Sequence, residues 1–142
     1  MRWIIHDEKE LMAIAATIAP KLKAGDVIAL HGTLGVGKTT FVRALIRYLN
    51  KSETEVPSPT FTLLQMYDTA NFTIYHFDFY RLKRPDEAYE IGIEDAFELG
   101  VSLIEWPDKI GSLLPKKHKS ISFEMLPDNT RIIETEDFDE DA

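Results

Sequence analysis

Cysteine is absent from the 142-residue chain, which excludes a disulfide scaffold, a thiolate metal site and a cysteine nucleophile. No apolar run approaches the roughly 20 residues that a membrane-spanning helix requires. The first residues, MRWIIHD, also lack the layout of a signal peptide. We therefore expect a cytoplasmic protein that has no membrane partner.

Positive charge is also scarce, because 16 lysines and arginines face 24 aspartates and glutamates, giving a net charge of −8. Six of the acids lie in residues 134–142, so the rest of the chain has 18 acids against 16 bases, a net charge of −2. This balance excludes a protein that binds the phosphate backbone of a nucleic acid through a large net positive charge. The one dense basic run in the sequence, residues 116–119, is interpreted as a solvated turn.

Apolar residues make up 44% of the chain, enough for a sizeable core in one domain. Apolar spacing predicts helices at 8–22, 38–49, 85–89 and 93–99, and strands at 2–6, 27–30, 61–67, 72–80, 101–106, 119–125 and 130–134. Helices between strands indicate an α/β fold, and the hairpins indicate a sheet with both parallel and antiparallel strands. We expect a single domain over residues 1–133, followed by a frayed acidic tail at 134–142.

Residues 32–39 read GTLGVGKT and match the phosphate-loop pattern G-x-x-x-x-G-K-[ST] in full. Glycines allow the tight turn in which successive N–H groups face an anion, and the following helix points its positive dipole end at the same place. In this pattern Lys38 reaches the β- and γ-phosphates, and the hydroxyl of Thr39 ligates Mg²⁺. A buried strand before the loop and a helix after it are the expected context. The sequence therefore predicts a P-loop NTPase-like domain that binds a nucleotide.

Two acids lie where a phosphate-loop enzyme needs a metal ligand or a group that positions water. Asp78 interrupts an aromatic strand, where a carboxylate is costly to bury unless a cation or donor meets it, and an ion pair with Arg81 is the alternative. Glu105 ends an apolar strand, where open α/β sheets hold their ligand chemistry, and a solvent-facing carboxylate is the alternative. His76 is interpreted as a hydrogen-bonded structural histidine, and Trp106 as packing that could also shield the site.

Four segments, residues 32–40, 56–62, 76–81 and 105–107, together resemble the TsaE (YjeE) family, and the resemblance extends over residues 5–135. It implies a small α/β P-loop domain with a mixed sheet. It also implies a bacterial ATPase needed to make threonylcarbamoyladenosine (t6A) at position 37 of tRNAs that read codons beginning with A. Members of that family work with the TsaB and TsaD proteins, and TsaD carries the transfer chemistry.

The same resemblance implies roles for individual residues. Contacts to the phosphates of ATP would come from Gly35, Val36, Gly37, Lys38, Thr39 and Thr40, and further nucleotide contacts from Glu8, Asp108 and Arg131. Thr39 and Glu105 would ligate Mg²⁺, and the catalytic residues would be Lys38, Glu105 and Asp78, the last as a Walker-B-like acid. Ser58 and Thr60 would lie in the first switch, a segment that on its own pattern is either an ordinary turn or a γ-phosphate sensor. Where the family commonly has an acid after the first loop glycine, this chain has Thr33.

Two other functions are compatible with the phosphate loop. One is a small-molecule or nucleoside kinase, although small kinases usually add a basic lid with clustered arginines. Outside the helix that follows the loop, the arginines here are few and scattered, at Arg2, Arg81, Arg84 and Arg131. The other is a nucleotide-dependent binding switch with little turnover. We expect an ATPase that is slow without partners, acts through TsaB and TsaD, and by itself binds tRNA weakly or not at all.

Overall fold

Seven strands and four α-helices make up the structure, a computed structural model that describes residues 1–33, 35–51, 56 and 63–136. The strands are β1 (Arg2–Ile5), β2 (Val27–His31), β3 (Leu64–Asp68), β4 (Thr73–Asp78), β5 (Val101–Glu105), β6 (Lys119–Met125) and β7 (Arg131–Glu136). The helices are α1 (Glu8–Ile18), α2 (Lys38–Asn50), α3 (Glu87–Glu90) and α4 (Ile93–Leu99). Short 3₁₀ turns cover Ala19–Lys21 and Pro107–Leu113, the latter interrupted by a kink at Gly111. Among the described helices, none is long and apolar enough to cross a membrane.

All seven strands form one sheet in the order β1-β7-β6-β2-β5-β4-β3. The four central strands, β6, β2, β5 and β4, are parallel, and antiparallel neighbours flank them on both sides. The α/β class and the mixed sheet expected from the sequence are therefore confirmed. Because the carboxyl ends of the parallel strands meet at one edge, the loop after β2 and the last residues of β4 and β5 lie together there.

The sheet is covered by helices on both faces. Ile28 and Leu30 of β2 pack in one apolar cluster with α1 and α2, whereas Val27 packs in a second cluster with α3, α4 and the later 3₁₀ segment. Residues 27–30 are all buried, as predicted for a strand enclosed on two sides. Burying each large aliphatic side chain in this way contributes about 1.5–3 kcal/mol to folding. The central strands are consequently a rigid support for the edge at which they end.

Helix α1 begins as predicted but ends earlier. The Asp7 carboxylate accepts a hydrogen bond from the N–H of Glu10 at 2.9 Å, the geometry of a helix N-cap. In return the Glu10 carboxylate accepts from the N–H of His6 at 3.0 Å, one residue before the cap. The periodic pattern extends through Leu22, but the α-helix stops at Ile18 and a 3₁₀ turn follows. Proline at position 20 has no N–H to donate, which explains this early end.

The last strand corrects the predicted domain boundary. β7 continues to Glu136, where it pairs with Ser120, so the first three residues of the predicted acidic tail belong to the sheet. Glu134 and Glu136 face solvent while Thr135 between them is buried, so strand alternation keeps both carboxylates hydrated. Residues 137–142 lie outside the described residues, as do the first two residues of the predicted strand at 61–67.

Candidate nucleotide-binding site

The glycine-rich loop joins the end of β2 to the start of α2, as the motif predicted. Gly32 has φ +151°, and a Cβ atom there would lie 2.8 Å from Val36 Cγ1 and 3.0 Å from the carbonyl oxygen of Phe123. Gly37 has φ +112°, and a Cβ there would lie 3.0 Å from Arg131 Nη1. Only glycine fits both the backbone conformation and the space at these two positions. The loop thus turns tightly against β6 and β7 and leads into the N-terminus of a 13-residue helix.

Lys38 is held inside this loop. Its side chain is only 4% exposed, and its Nζ donates a hydrogen bond to the carbonyl oxygen of Gly32 at 2.7 Å. The same Nζ lies 4.1 Å from the centre of the Trp106 ring, a cation–π arrangement. Burial lowers the pKa of Lys38, and the carboxylates of Glu105, Asp78 and Asp108 oppose this shift. The amine is therefore a desolvated donor whose charge is favoured by three carboxylates.

Glu105 is the centre of a buried hydrogen-bonded group at the end of β5. Its Oε2 accepts from the hydroxyl of Thr39 at 3.0 Å and from His76 Nε2 at 2.6 Å. Glu105 is 4% exposed and His76 is fully buried, so the alternative of a solvent-facing carboxylate is wrong. No described residue donates to the other oxygen, Oε1. The two hydrogen bonds to Oε2 fix the carboxylate beside the first turn of α2.

Asp78 ends β4 directly beside Glu105. The two residues are register partners in neighbouring parallel strands, and Asp78 is also 4% exposed. Its Oδ1 accepts a hydrogen bond from the N–H of Tyr80 at 2.9 Å. Two acids predicted separately from the sequence therefore lie side by side at the edge of the sheet where the phosphate loop begins.

Trp106 follows Glu105 with φ +59°, a left-handed conformation that costs about 1–2 kcal/mol for a residue other than glycine. Its ring packs against Tyr80 with centroids 5.0 Å apart, and it covers the Lys38 amine. Trp106 thus packs against its neighbours and also shields the site, the two roles that the sequence analysis considered for it.

The remaining predicted nucleotide contacts surround the loop. The guanidinium of Arg131 lies against Gly37, and Arg131 and Glu8 line a cavity of about 170 Å³ that also includes Asp7 and Asn129. The other predicted residues are Gly35, Val36 and Thr40 within the loop and helix start, and Asp108, which is exposed and whose charge partly opposes the lowering of the Lys38 pKa by burial. Ser58 and Thr60 lie outside the described residues.

Oxygen donors suited to Mg²⁺ are present, although the described residues contain no cluster of three or more His, Cys, Asp or Glu that could hold a metal alone. The Thr39 hydroxyl and the Glu105 carboxylate lie next to each other, and Oε1 of Glu105 is available. Mg²⁺ prefers hard oxygen ligands and usually takes one or two from protein, with water and phosphate oxygens supplying the rest. The residues therefore fit a magnesium ion bound together with nucleotide phosphates.

Residues 5–133 match the family model described as threonylcarbamoyl adenosine biosynthesis protein TsaE. The chain belongs to the TsaE family. The tRNA threonylcarbamoyladenosine biosynthesis protein TsaE of Rickettsia felis is 44% identical over 129 residues, covering 91% of this chain and 75% of that protein. TsaE of Treponema pallidum is 36% identical over 134 residues, covering 94% of this chain and 98% of that protein. Membership gives the chain a role in tRNA threonylcarbamoyladenosine biosynthesis, as the sequence resemblance implied.

A solved structure supports the fold of this TsaE family member. The crystal structure of YdiB from Bacillus subtilis matches with a TM-score of 0.78 at 32% identity, covering 94% of this chain and 82% of that chain. The P-loop-type α/β fold predicted from the sequence is therefore confirmed. What sequence reasoning missed was the pairing of His76 with Glu105. The signal was present in the even spacing of His76 and Asp78, which puts both side chains on one face of β4.

Proposed function

We propose that the chain is a Mg²⁺-dependent ATPase that supports t6A formation at position 37 of tRNAs reading codons that begin with A, acting through TsaB and TsaD. The observation that carries this proposal is the hydrogen bond from Thr39 to Glu105, because it joins the phosphate loop to an acid at the end of a neighbouring strand. Phosphate-loop hydrolases need that combination of a hydroxyl and an acid to hold Mg²⁺. A role in tRNA modification also fits the expected cytoplasmic location.

In this function the loop binds the triphosphate. Backbone N–H groups of residues 35–40 surround the β- and γ-phosphates, and the dipole of α2 favours their negative charge. Lys38 transfers its hydrogen bonding from the carbonyl of Gly32 to phosphate oxygens. A charge-assisted contact of this kind contributes roughly 1.5–3 kcal/mol. Arg131 and Glu8, on the cavity beside the loop, contact the rest of the nucleotide.

Hydrolysis then depends on the two paired acids. Thr39 and Glu105 would hold Mg²⁺, which when bound neutralises charge on the β- and γ-phosphates. Asp78 accepts a hydrogen bond from a water molecule and orients it toward the γ-phosphorus. The water oxygen forms a bond to the γ-phosphorus, and the bond between the γ-phosphorus and the β,γ-bridging oxygen breaks. ADP and inorganic phosphate then leave. Phosphate keeps the proton that the water loses.

Partner proteins account for how a chain of net charge −8 serves a reaction on tRNA. Binding that depends on many phosphate contacts needs a positive face, and the charge balance of this chain argues against one. The isolated protein is therefore expected to bind tRNA weakly or not at all. Filter binding at about 150 mM salt tests this, and a sub-micromolar complex with free tRNA would contradict it.

The deciding experiment measures phosphate release from ATP by the chain alone and with TsaB and TsaD, each with and without Mg²⁺, alongside t6A formation on tRNA. The proposal expects slow release alone, faster release with both partners, no release without Mg²⁺, and t6A only when all components are present. The Lys9→Gln variant, changed at an exposed residue outside the site, should behave like the parent. Phosphoryl transfer to a small molecule would indicate a kinase, and nucleotide-dependent assembly without phosphate release would indicate a binding switch.

A further inference from the structure

A second cavity lies at the opposite end of the sheet from the phosphate loop. It measures about 410 Å³ and is lined by Lys23, Gly25, Asp26, Val27, Lys116, Lys117, His118 and Lys119. These residues are at the amino ends of β2 and β6, whereas the phosphate loop follows the carboxyl end of β2. The five residues of β2 separate the two places by about 17 Å. The cavity is therefore distinct from the nucleotide site.

The lining of this cavity is basic in an otherwise acidic chain. Four lysines face one carboxylate, that of Asp26, so the lining carries a net charge of +3 with His118 neutral. Asp26 Oδ2 accepts from Lys119 Nζ and from the backbone N–H of Lys23, both at 3.0 Å. Lys116 and Lys117 are exposed and form no ion pair with any described residue. Two ammonium groups thus face the cavity without a described counter-charge.

The walls of the cavity are fixed by hydrogen bonds. His118 donates from Nδ1 to the carbonyl oxygen of Pro115 at 2.6 Å, which holds the turn that carries the two exposed lysines. Gly25 donates its N–H to Gly100 at 2.7 Å, and Lys119 is paired with Ile28 in the sheet. The backbone that carries these lysines is therefore ordered before an anion enters, which limits the conformational entropy lost on binding.

We propose that this cavity is a second anion site that binds a phosphate group. Lysine binds phosphate as a point charge, and among the described residues no Phe, Tyr or Trp side chain lines the cavity to stack on a base. The phosphate could belong to a compact phosphorylated molecule or to an RNA backbone. The net charge of −8 favours the compact molecule, because a long polyanion is also repelled by the rest of the chain. The site goes beyond the proposed ATPase function and does not depend on it.

Pyrophosphate is the probe for this site, followed by amide chemical shifts in the full-length chain. Shifts of the Gly25, Val27 and Lys117 amides report the basic cavity, and those of Gly35 and Gly37 report the phosphate loop. We expect saturable shifts at the cavity below about 5 mM pyrophosphate. The double variant Lys116→Gln/Lys117→Gln should weaken that binding about fivefold, the loss expected for two exposed charges. The matched variant Lys9→Gln/Lys83→Gln, which removes two exposed lysines elsewhere, should change it less than about twofold.

Three outcomes decide the proposal. Cavity shifts that saturate and weaken only in the Lys116/Lys117 variant support it. If tRNA displaces pyrophosphate from the cavity, the phosphate source is an RNA backbone and the anion site still stands. The absence of saturable shifts at Gly25 and Val27, or equal binding by both double variants, overturns it. Because the phosphate-loop amides are read in the same spectra, failure of the cavity and failure of the nucleotide site are distinguished.

Discussion

His76 Nε2 donates a hydrogen bond to Glu105 Oε2 at 2.6 Å, between two neighbouring parallel strands and out of contact with solvent. A carboxylate buried at a strand end is costly unless donors meet it, and His76 supplies one of two donors. The pair holds Glu105 in place to accept the Thr39 hydroxyl. The buried His76 therefore fixes the Glu105 carboxylate in position before any nucleotide binds.

This pairing predicts a large stability loss for His76→Ala. The variant leaves a cavity and a buried carboxylate with one donor fewer, which should lower the free energy of unfolding by roughly 2–4 kcal/mol. Urea unfolding of the nucleotide-free protein measures it. The matched control is His6→Ala, because His6 contacts Glu10 at 3.3 Å with a side chain 63% exposed, and its loss should cost under about 0.5 kcal/mol. Equal losses of unfolding free energy in the two variants would show that the buried pair stabilises the fold no more than the exposed one.

Much of this site could be predicted from the sequence, because local pattern determines it. The phosphate loop places Lys38 and Thr39, and the end of an apolar strand places Glu105. Two features could not be predicted. The contact between Trp106 and Lys38 depends on a left-handed backbone at Trp106, and the extension of β7 to Glu136 depends on its pairing with β1 and β6. Both are set by tertiary contacts between distant segments, which spacing along the chain does not encode.

Glu105→Gln should separate ATP binding from hydrolysis. Glutamine keeps the shape and can still accept from Thr39, so the fold and ATP binding should be retained. Loss of the charge removes a Mg²⁺ ligand, and hydrolysis should fall at least about tenfold, or 1.4 kcal/mol in the barrier. Asp78→Asn should act in the same direction by misplacing water. Single-turnover phosphate release with a parallel ATP-binding titration measures both effects, and parent-like hydrolysis in both variants would make these acids structural.

Lys38→Met should abolish ATP binding without destabilising the nucleotide-free protein. Burial lowers the pKa of Lys38 from its ordinary value of 10.5, so at neutral pH the buried charge costs stability in the folded state. That cost disappears as rising pH deprotonates Lys38 in the parent. The difference in unfolding free energy that favours the variant should therefore shrink toward pH 10.5. Thermal unfolding of both proteins between pH 7 and pH 10.5 measures the sign of this stability difference and its change with pH. A variant that melts several degrees below the parent at pH 7 would contradict it.

Trp106 should report nucleotide binding by its fluorescence. The chain has two tryptophans, so the Trp3→Phe variant leaves Trp106 as the only one. An ammonium 4.1 Å from the ring centre perturbs its emission, and ATP should draw the Lys38 amine away toward phosphate. We expect a saturable change in emission when ATP and Mg²⁺ are added to this variant. The same titration in a variant that also carries Lys38→Met should show no change, because ATP no longer binds. The absence of a saturable change in Trp3→Phe itself would contradict the prediction.

Gly37→Ala should weaken ATP binding through crowding as well as strain. Gly37 has φ +112°, and a Cβ there would meet Arg131 Nη1 at 3.0 Å, so alanine both strains the backbone and pushes the guanidinium away from the loop. Gly92→Ala is the matched control, because Gly92 has φ +82° with nothing within 4 Å of a built Cβ. Both variants should lose about 1 kcal/mol of stability from the left-handed backbone. Only Gly37→Ala should also lose ATP affinity, at least about tenfold, since the loop amides and Arg131 are displaced together.

Calorimetric ATP titration of the two variants distinguishes the effect on affinity from the effect on stability. Unchanged affinity in Gly37→Ala would show that Arg131 and this turn are not part of the nucleotide site.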